Sequence, residues 1–357
     1  MNFLRLPPLR CRAFHTSSSW LTRSTEKPPR TFRSPGYVGT VTALSIGTLA
    51  SLYFFLPDVS RGAPTLKDAS LSPTHFTPCT ITASEPCGPN SRLITVAIPP
   101  KALPSTTDEL SPSFSSIWSV FIKDDDIQVE RPYTPLEGLD EEGKMRFWIK
   151  QYPRGEVARW LNSKNVGEEI EVRGPLQTWL WRDMDWDHVV MISGGTGITP
   201  FYQLFHSVIS RLPSTHRTRF TLLHSSRIPS ELPPPAILDP LITYAKANPE
   251  RLNLQLCIDS YGSSREDAPH LDLRLGRIDK SLISKALGIK ESVGWWPWNL
   301  FSRPQKIEDE PKVLFLVCGP EPMIGAIAGP YGRNFSQGAV GGVLAELGYT
   351  SNEVHKL

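Results

Sequence analysis

Three short runs of this chain hold residue types whose spacing suits the binding of a flat, phosphate-bearing ligand. Arg131-Pro132-Tyr133-Thr134 offers a bidentate phosphate ligand, a ring to lie against a heterocycle and a hydroxyl to bond its edge. Lys150-Gln151-Tyr152-Pro153 leads to Gly155 and a short helical run, Val157-Ala158-Arg159-Trp160-Leu161, whose N-terminus can take a second phosphate contact. The third run, Met191 to Pro200, is a glycine-rich turn. Gly194, Gly195 and Gly197 allow positive φ and let the backbone approach a ligand with no Cβ in the way. Tight α/β turns also use glycine with no ligand at all, so this turn alone leaves both readings open. No Gly-Lys-Ser/Thr follows it and it does not fit G-x-G-x-x-G, which excludes two common nucleotide motifs.

The elements that must position these runs fall into two textures. Short segments of β character, at Cys79–Ala83, Arg92–Ile98, Ile117–Ile122, Ile127–Val129, Met145–Lys150 and Glu169–Arg173, are separated by Pro, Gly, Asn and Asp. That pattern predicts a small antiparallel barrel or sandwich. After Trp181 strands alternate with helices, which predicts a parallel sheet. His188–Ile192 is an apolar run of the kind buried on both sheet faces. Thr199 suits an N-cap and Pro200 a first helical position, and Phe201, Leu204, Phe205, Val208, Ile209 and Leu212 follow at helical spacing. Later strands are expected at Phe220–His224, Leu252–Cys257 and Val313–Val317, with Cys318 at the carboxyl end of the last, where α/β sheets bind ligands. The predicted fold is therefore β plus α/β: an antiparallel β-barrel at 74–181, a parallel-sheet domain at 182–328 and a C-terminal tail at 329–357.

The first 56 residues differ from the rest. Residues 1–35 hold seven Lys/Arg and one acid among Ser and Thr, leaving 31 basic and 35 acidic residues after them. This is the composition of a mitochondrial transit peptide. Residues 36–56 are 21 positions without a charged side chain, enough to cross a ~30 Å hydrocarbon core as one transmembrane helix. Arg30 and Arg33 on its N-terminal side predict a matrix-facing N-terminus and a catalytic domain in the intermembrane space. A proline-containing stretch at 57–73 reads as a linker. No basic, aromatic-interleaved patch points to nucleic acid. The five cysteines form no metal or haem-attachment array, although Cys79 and Cys87 could meet across a hairpin.

Taken together, Arg131-Pro132-Tyr133-Thr134, the Gly155 segment, Arg173-Gly174-Pro175, Gly194-Gly195-Thr196-Gly197-Ile198-Thr199-Pro200 and Cys318-Gly319-Pro320-Glu321-Pro322-Met323 occur in the order found in ferredoxin reductase-type flavoproteins. The chain most resembles the NADH-cytochrome b5 reductase branch, over about residues 75–327. The resemblance implies FAD in the first domain and NADH or NADPH in the second. It makes Arg131 the FAD pyrophosphate ligand, sets Tyr133 and Thr134 against the isoalloxazine and ribityl, and has Lys150, Tyr152 and Gly155 line the FAD, with Val157 and Ala158 N–H groups on its phosphates. Gly195, Thr196, Gly319, Pro320 and Met323 would shape the nicotinamide site, with Thr199 and Cys318 as the catalytic residues at the flavin–nicotinamide contact. Asp259 matches an acid that disfavours a 2′-phosphate, whereas Ser226-Arg227 would welcome one.

Several positions depart from that pattern. Ala158 stands where a hydroxyl residue is usual, which predicts weakened rather than absent FAD binding. Glu321 replaces a proline, and Trp179 and Trp181 replace small and aliphatic residues. A tryptophan cluster at Trp295, Trp296 and Trp298 suits a membrane interface, a partner contact or simple back-folding. With the transit-like arm, the span and the tail, the chain is similar to the fungal mitochondrial flavoproteins that assist haem attachment to cytochrome c. That resemblance implies a haem or haem-protein electron acceptor, with cytochrome c and its haem lyase as partners. The alternatives are a general cytochrome b5 reductase and a non-catalytic scaffold for cytochrome c assembly.

Overall fold

In this computed structural model the described residues are 62–103, 116–124, 128–153, 155–182, 186–262, 271–289 and 311–357, preceded by 41, 42, 44, 45, 47 and 48. The chain forms two compact units, Met1–Asp58 and Val59–Leu357. The transit-like arm, most of the uncharged stretch and the tryptophan cluster lie outside the described residues. Residues 41, 42, 44, 45, 47 and 48 are helical. Among the described residues no helix is long and apolar enough to cross a membrane.

The second unit holds two six-stranded sheets. The first is antiparallel, with strands β1 (Thr77–Gly88), β2 (Ser91–Ala97), β3 (Ile117–Lys123), β4 (Glu130–Tyr133), β5 (Lys144–Lys150) and β6 (Glu169–Trp179) in the order β4-β3-β6-β1-β2-β5. The first half of β1 alternates between buried and less buried residues, and one face of the sheet closes over Ile81, Ile94, Val96, Phe147 and Val172. The end strands are β4 and β5, and just past β4 Leu136 N donates to Arg146 O of β5 at 2.8 Å. Helix α1 (Glu156–Ser163) follows β5.

Two expectations need correction in this domain. Of the strand placed at Ile127–Val129, residue 127 lies outside the described residues and 128–129 are not strand; the strand is Glu130–Tyr133, paired through Ile122↔Arg131. Its charged residues and proline hide it from a pattern-based reading, yet an edge position tolerates both. The linker's second half also packs: Leu66 N donates to Phe76 O at 2.8 Å and Leu71 is buried in the core.

The second sheet is parallel: β7 (His188–Gly194), β8 (Arg219–Ser226), β9 (Leu252–Ile258), β10 (Leu273–Leu275), β11 (Val313–Cys318) and β12 (Val354–Lys356), in the order β10-β9-β8-β7-β11-β12. All of β7 and the first five residues of β11 are buried, because helices cover both faces. Those helices are α2 (Thr199–Ser207), α3 (Pro235–Ala247), α4 (Lys280–Ala286), α5 (Glu321–Ala328) and α6 (Gly342–Glu346). The strand order reverses between β7 and β11, which opens a crevice at their carboxyl ends. Residues 329–357 are built into this sheet, as α6 and the edge strand β12. Lys356 is buried there, its Nζ donating to Gly329 O at 3.2 Å, Pro330 O at 2.7 Å and Ala339 O at 3.3 Å.

Besides a core of its own in each domain, one apolar cluster spans both: Leu93, Ile117, Leu136 and Trp148 of the first domain pack with Phe201, Leu204 and Phe220 of the second. Gln203 of α2 accepts a hydrogen bond from the buried Trp118 N–H at 2.8 Å, and Ser207 Oγ donates to Ser116 O at 3.2 Å.

Candidate functional site

The residues singled out by chemistry converge on one cleft of about 630 Å³ between the sheets. Strand β4 contributes Arg131 and Tyr133, with Thr134 just beyond it; β5 and the turn after it contribute Lys150, Tyr152 and Gly155. Helix α1 presents its first turn through Val157 and Ala158, and its N-cap, Gly155, makes no side-chain bond to the free N–H groups. From the parallel domain come Thr196, Thr199, Cys318, Gly319 and Pro320.

Close backbone approach explains the glycines. Of the three in the turn only Gly195 has positive φ, at +54°. A Cβ at Gly197 would lie 2.4 Å from Cys318 O, and one at Gly194 would lie 2.6 Å from Met323 Sδ. These two glycines therefore bring the turns after β7 and β11 together rather than supplying unusual torsions. Residues Gly195–Ile198 form one 3-10 turn, and Thr199 is the first residue of α2 with Ile198 as N-cap, not the N-cap itself. The Thr199 hydroxyl donates to Thr196 O at 3.0 Å.

The electrostatics divide the cleft. Arg131 is exposed at the rim, and among the described residues its side chain donates to its neighbour's carbonyl, Glu130 O, at 2.9 Å. Burial pushes the Tyr133 phenol up against the opposing effect of Arg131, so it stays protonated. Burial also pushes the Cys318 thiol up to about 12, which keeps it neutral and denies it a thiolate's role. Lys150 is buried and bound at 3.0 Å to Glu231 of the parallel domain.

Gly195 and Met323 do not line the cleft: Gly195 lies beneath the Tyr152 hydroxyl, and Met323 packs behind the turns against Gly194 and Gly319. Asp259 lies away from it, one residue past β9 and paired with Arg277 at 3.4 Å. The cleft also includes Ser119, Thr178 and the C-terminal Leu357, which sequence reasoning missed. Leu357 N donates to Val317 O at 2.9 Å and its carbonyl accepts from Tyr331 Oη at 2.6 Å. No local signal marks it, since its place follows from the pairing of β12. Cys79 and Cys87 are both free and lie eight residues apart on β1, roughly 26 Å at strand rise, which rules out the hairpin pairing.

A guanidinium, an open helix N-terminus, neutral hydroxyls and apolar walls at Ile117, Phe147 and Pro320 suit a pyrophosphate joined to a planar heterocycle. The comparisons agree. A model of the oxidoreductase FAD-binding domain matches residues 79–181, and one of the oxidoreductase NAD-binding domain matches 191–329. Over 243 residues the chain is 30% identical to NADH-cytochrome b5 reductase 2 of Candida glabrata, covering 68% of this chain and 72% of that one. It belongs to the NADH-cytochrome b5 reductase family. The enzyme of the same name from Mycosarcoma maydis is 27% identical over 300 residues, 84% of this chain and 77% of that one. The cytochrome b5 reductase domain of Ulva prolifera nitrate reductase shares the fold, with a TM-score of 0.56 at 18% identity, covering 81% of this chain and all of that one. This reductase is thus an FAD- and NAD(P)-dependent oxidoreductase.

Proposed function

We propose that this reductase is a membrane-anchored mitochondrial enzyme that passes electrons from NAD(P)H through FAD to haem or a haem protein, and so supports haem attachment to cytochrome c. The observation that carries the electron-transfer reading is the meeting of the two motif sets, Arg131–Thr134 and the turns at Gly194–Thr199 and Cys318–Pro320, in one cleft. FAD bound there would accept two electrons as hydride from the nicotinamide and release them singly. The chain's task is position. Arg131 and the first turn of α1 would hold the pyrophosphate, with Lys150, Tyr152 and Gly155 along the FAD. Tyr133 and Thr134 would fix the ring's edge, and Thr199 and Cys318 the stacking distance. Thr196, Gly319 and Pro320 would shape the nicotinamide pocket from the parallel domain, with Gly195 and Met323 packed behind them. Ala158 offers its N–H but no hydroxyl.

Anchoring and localisation rest on the sequence. The Arg-rich arm and the uncharged residues 36–56 support an inner-membrane span with residues 57–357 in the intermembrane space. A general cytochrome b5 reductase is the second reading, favoured by the names of the relatives. Purified full-length protein, reduced anaerobically with NADH or NADPH and offered ferric haem or cytochrome b5, separates the two. Haem reduced well ahead of cytochrome b5 supports the assembly role; the reverse order supports the general reductase. A folded protein that stays colourless with added FAD would refute both.

A further inference from the structure

Beside the cleft lies a second cavity of about 340 Å³, lined by Gln177, Thr178, Trp179, Leu180, Arg182 and Trp186. Thr178 lines both, so one residue of β6 borders the two spaces at once. Nothing in the nucleotide motifs accounts for this second cavity.

Its aromatic wall is braced from behind. Trp179 pairs with Ile117 of β3, and the ring of Trp181 stands 6.1 Å from that of Trp179 and 5.5 Å from the core ring of Phe220. Trp181 N donates to Ser116 Oγ at 2.7 Å, and Trp186 O accepts from Thr218 Oγ1 at 2.6 Å. Held indoles give a ligand a large flat contact at little cost in side-chain entropy. Trp179 and Trp181 stand where the family pattern has small and aliphatic residues, so this wall belongs to this chain rather than to the fold.

The cavity's charge is as simple as its shape. Arg182 is the one charged residue that lines it, and Arg182 is exposed and, among the described residues, has no ion-pair partner. No glycine and no helix N-terminus lines it, so it lacks what the cleft offers a pyrophosphate. Indole faces and a guanidinium fork fit instead a planar macrocycle that carries carboxylate arms, the rings taking its face and Arg182 one of its arms.

We propose that this cavity seats free haem as the electron acceptor, with the porphyrin against Trp179 and Trp186, one propionate on Arg182, and Thr178 bordering both haem and flavin. This rests on the electron-transfer reading above. One NADH gives two electrons through FAD, so two ferric haems, bound in turn, become ferrous while NAD⁺ and one proton are released.

The test uses full-length, FAD-loaded protein. Ferric haem is titrated by its Soret band without NADH, the dimethyl ester of haem serves as the probe without carboxylates, and NADH-driven formation of ferrous haem is a second readout. Arg182→Glu should weaken ferric haem binding at least tenfold and raise KM for haem, with melting temperature and flavin content at their wild-type values. The ester should bind wild type and Arg182→Ala within twofold of each other, because it has no carboxylate for the guanidinium to hold. Trp186→Leu should weaken both probes at least fivefold; if that variant does not fold, Arg182→Glu alone decides. Ferric haem binding within twofold of wild type in Arg182→Glu overturns the proposal. An equal loss in Lys285→Glu, an exposed charge on α4 outside the cavity, also overturns it, since it would show general adherence to a basic surface. Haem held through Arg182 but not reduced under NADH keeps the seat and refutes the electron-transfer reading instead.

Discussion

Arg131 is exposed and, among the described residues, its side chain bonds to the carbonyl before it, so its charge contributes little to the fold there and remains available to a ligand. Arg131→Ala should leave the melting temperature of the apoprotein unchanged and weaken FAD binding about 10- to 100-fold, from the ~1.5–3 kcal/mol of a hydrogen bond to a charged group. Flavin retained through gel filtration measures this. His224 is the opposite case: wholly buried, it shares its ring nitrogens with Ser193 Oγ at 2.8 Å and Ser226 Oγ at 3.1 Å. Burial, with the nearby Lys150 charge, lowers its pKa from 6.5 to about 3. The unfolded chain takes up a proton near pH 6.5 that the folded chain refuses. The stability contributed by neutral His224 is therefore complete above pH 6.5 and declines as pH falls towards 3. His188, lowered to about 4 mainly by burial, adds to the same slope. Urea unfolding at pH 7.5 and 5 should show a smaller acid loss in His224→Gln than in wild type.

The turn after β7 and the turn after β11 work as one element. Their contact is backbone against backbone at Gly197 and Cys318, where no side chain can shift to relieve an added methyl. Gly197→Ala should cost ~1–3 kcal/mol as overpacking and should raise KM for the nucleotide several-fold by moving the turns apart. The flavin spectrum should be retained, because Arg131 and α1 belong to the other domain. Thermal melting and steady-state kinetics on one preparation check both parts, and an unchanged KM would show that these turns do not shape the nucleotide site.

At the scale of the molecule, the cleft is only as well defined as the junction of its two sheets. Among the described residues that junction is mostly apolar, and its polar contacts include the bonds from Trp118 N–H to Gln203 and from Ser207 to Ser116 and the ion pair from Lys150 to Glu231. Gln203→Leu keeps comparable bulk but removes the acceptor, and should destabilise by ~1–3 kcal/mol through loss of this buried bond. A lower urea midpoint at constant m-value is the expected result. The C-terminus belongs to the same scale. It is held by the β11 pairing, by Gln337 bonding the Lys356 backbone and by Tyr331 on the last carbonyl, and so brings Leu357 to the cleft wall.

What the sequence by itself determined is local. Arg131 to Thr134, Gly194 to Pro200 and Cys318 to Met323 were legible because each motif completes its geometry within a few residues. The buried strands β7 and β11 were legible because sheets covered on both faces demand unbroken apolar runs. The order of the motifs then identified the family. The rest was decided by tertiary structure. Strand β4 carries Glu130, Arg131 and Pro132, and only the edge of a sheet makes that a strand. Cys79 and Cys87 needed the length of β1 to be told apart from a pair. The ion pair that Lys150 makes with Glu231, 81 positions later, is invisible to the neighbours of either residue, and Leu357 reads as a loose end until β12 joins the sheet. Propensity and periodicity act over a turn or a strand. A partner distant along the chain is chosen by how whole layers pack, and no run of neighbouring residues records that choice.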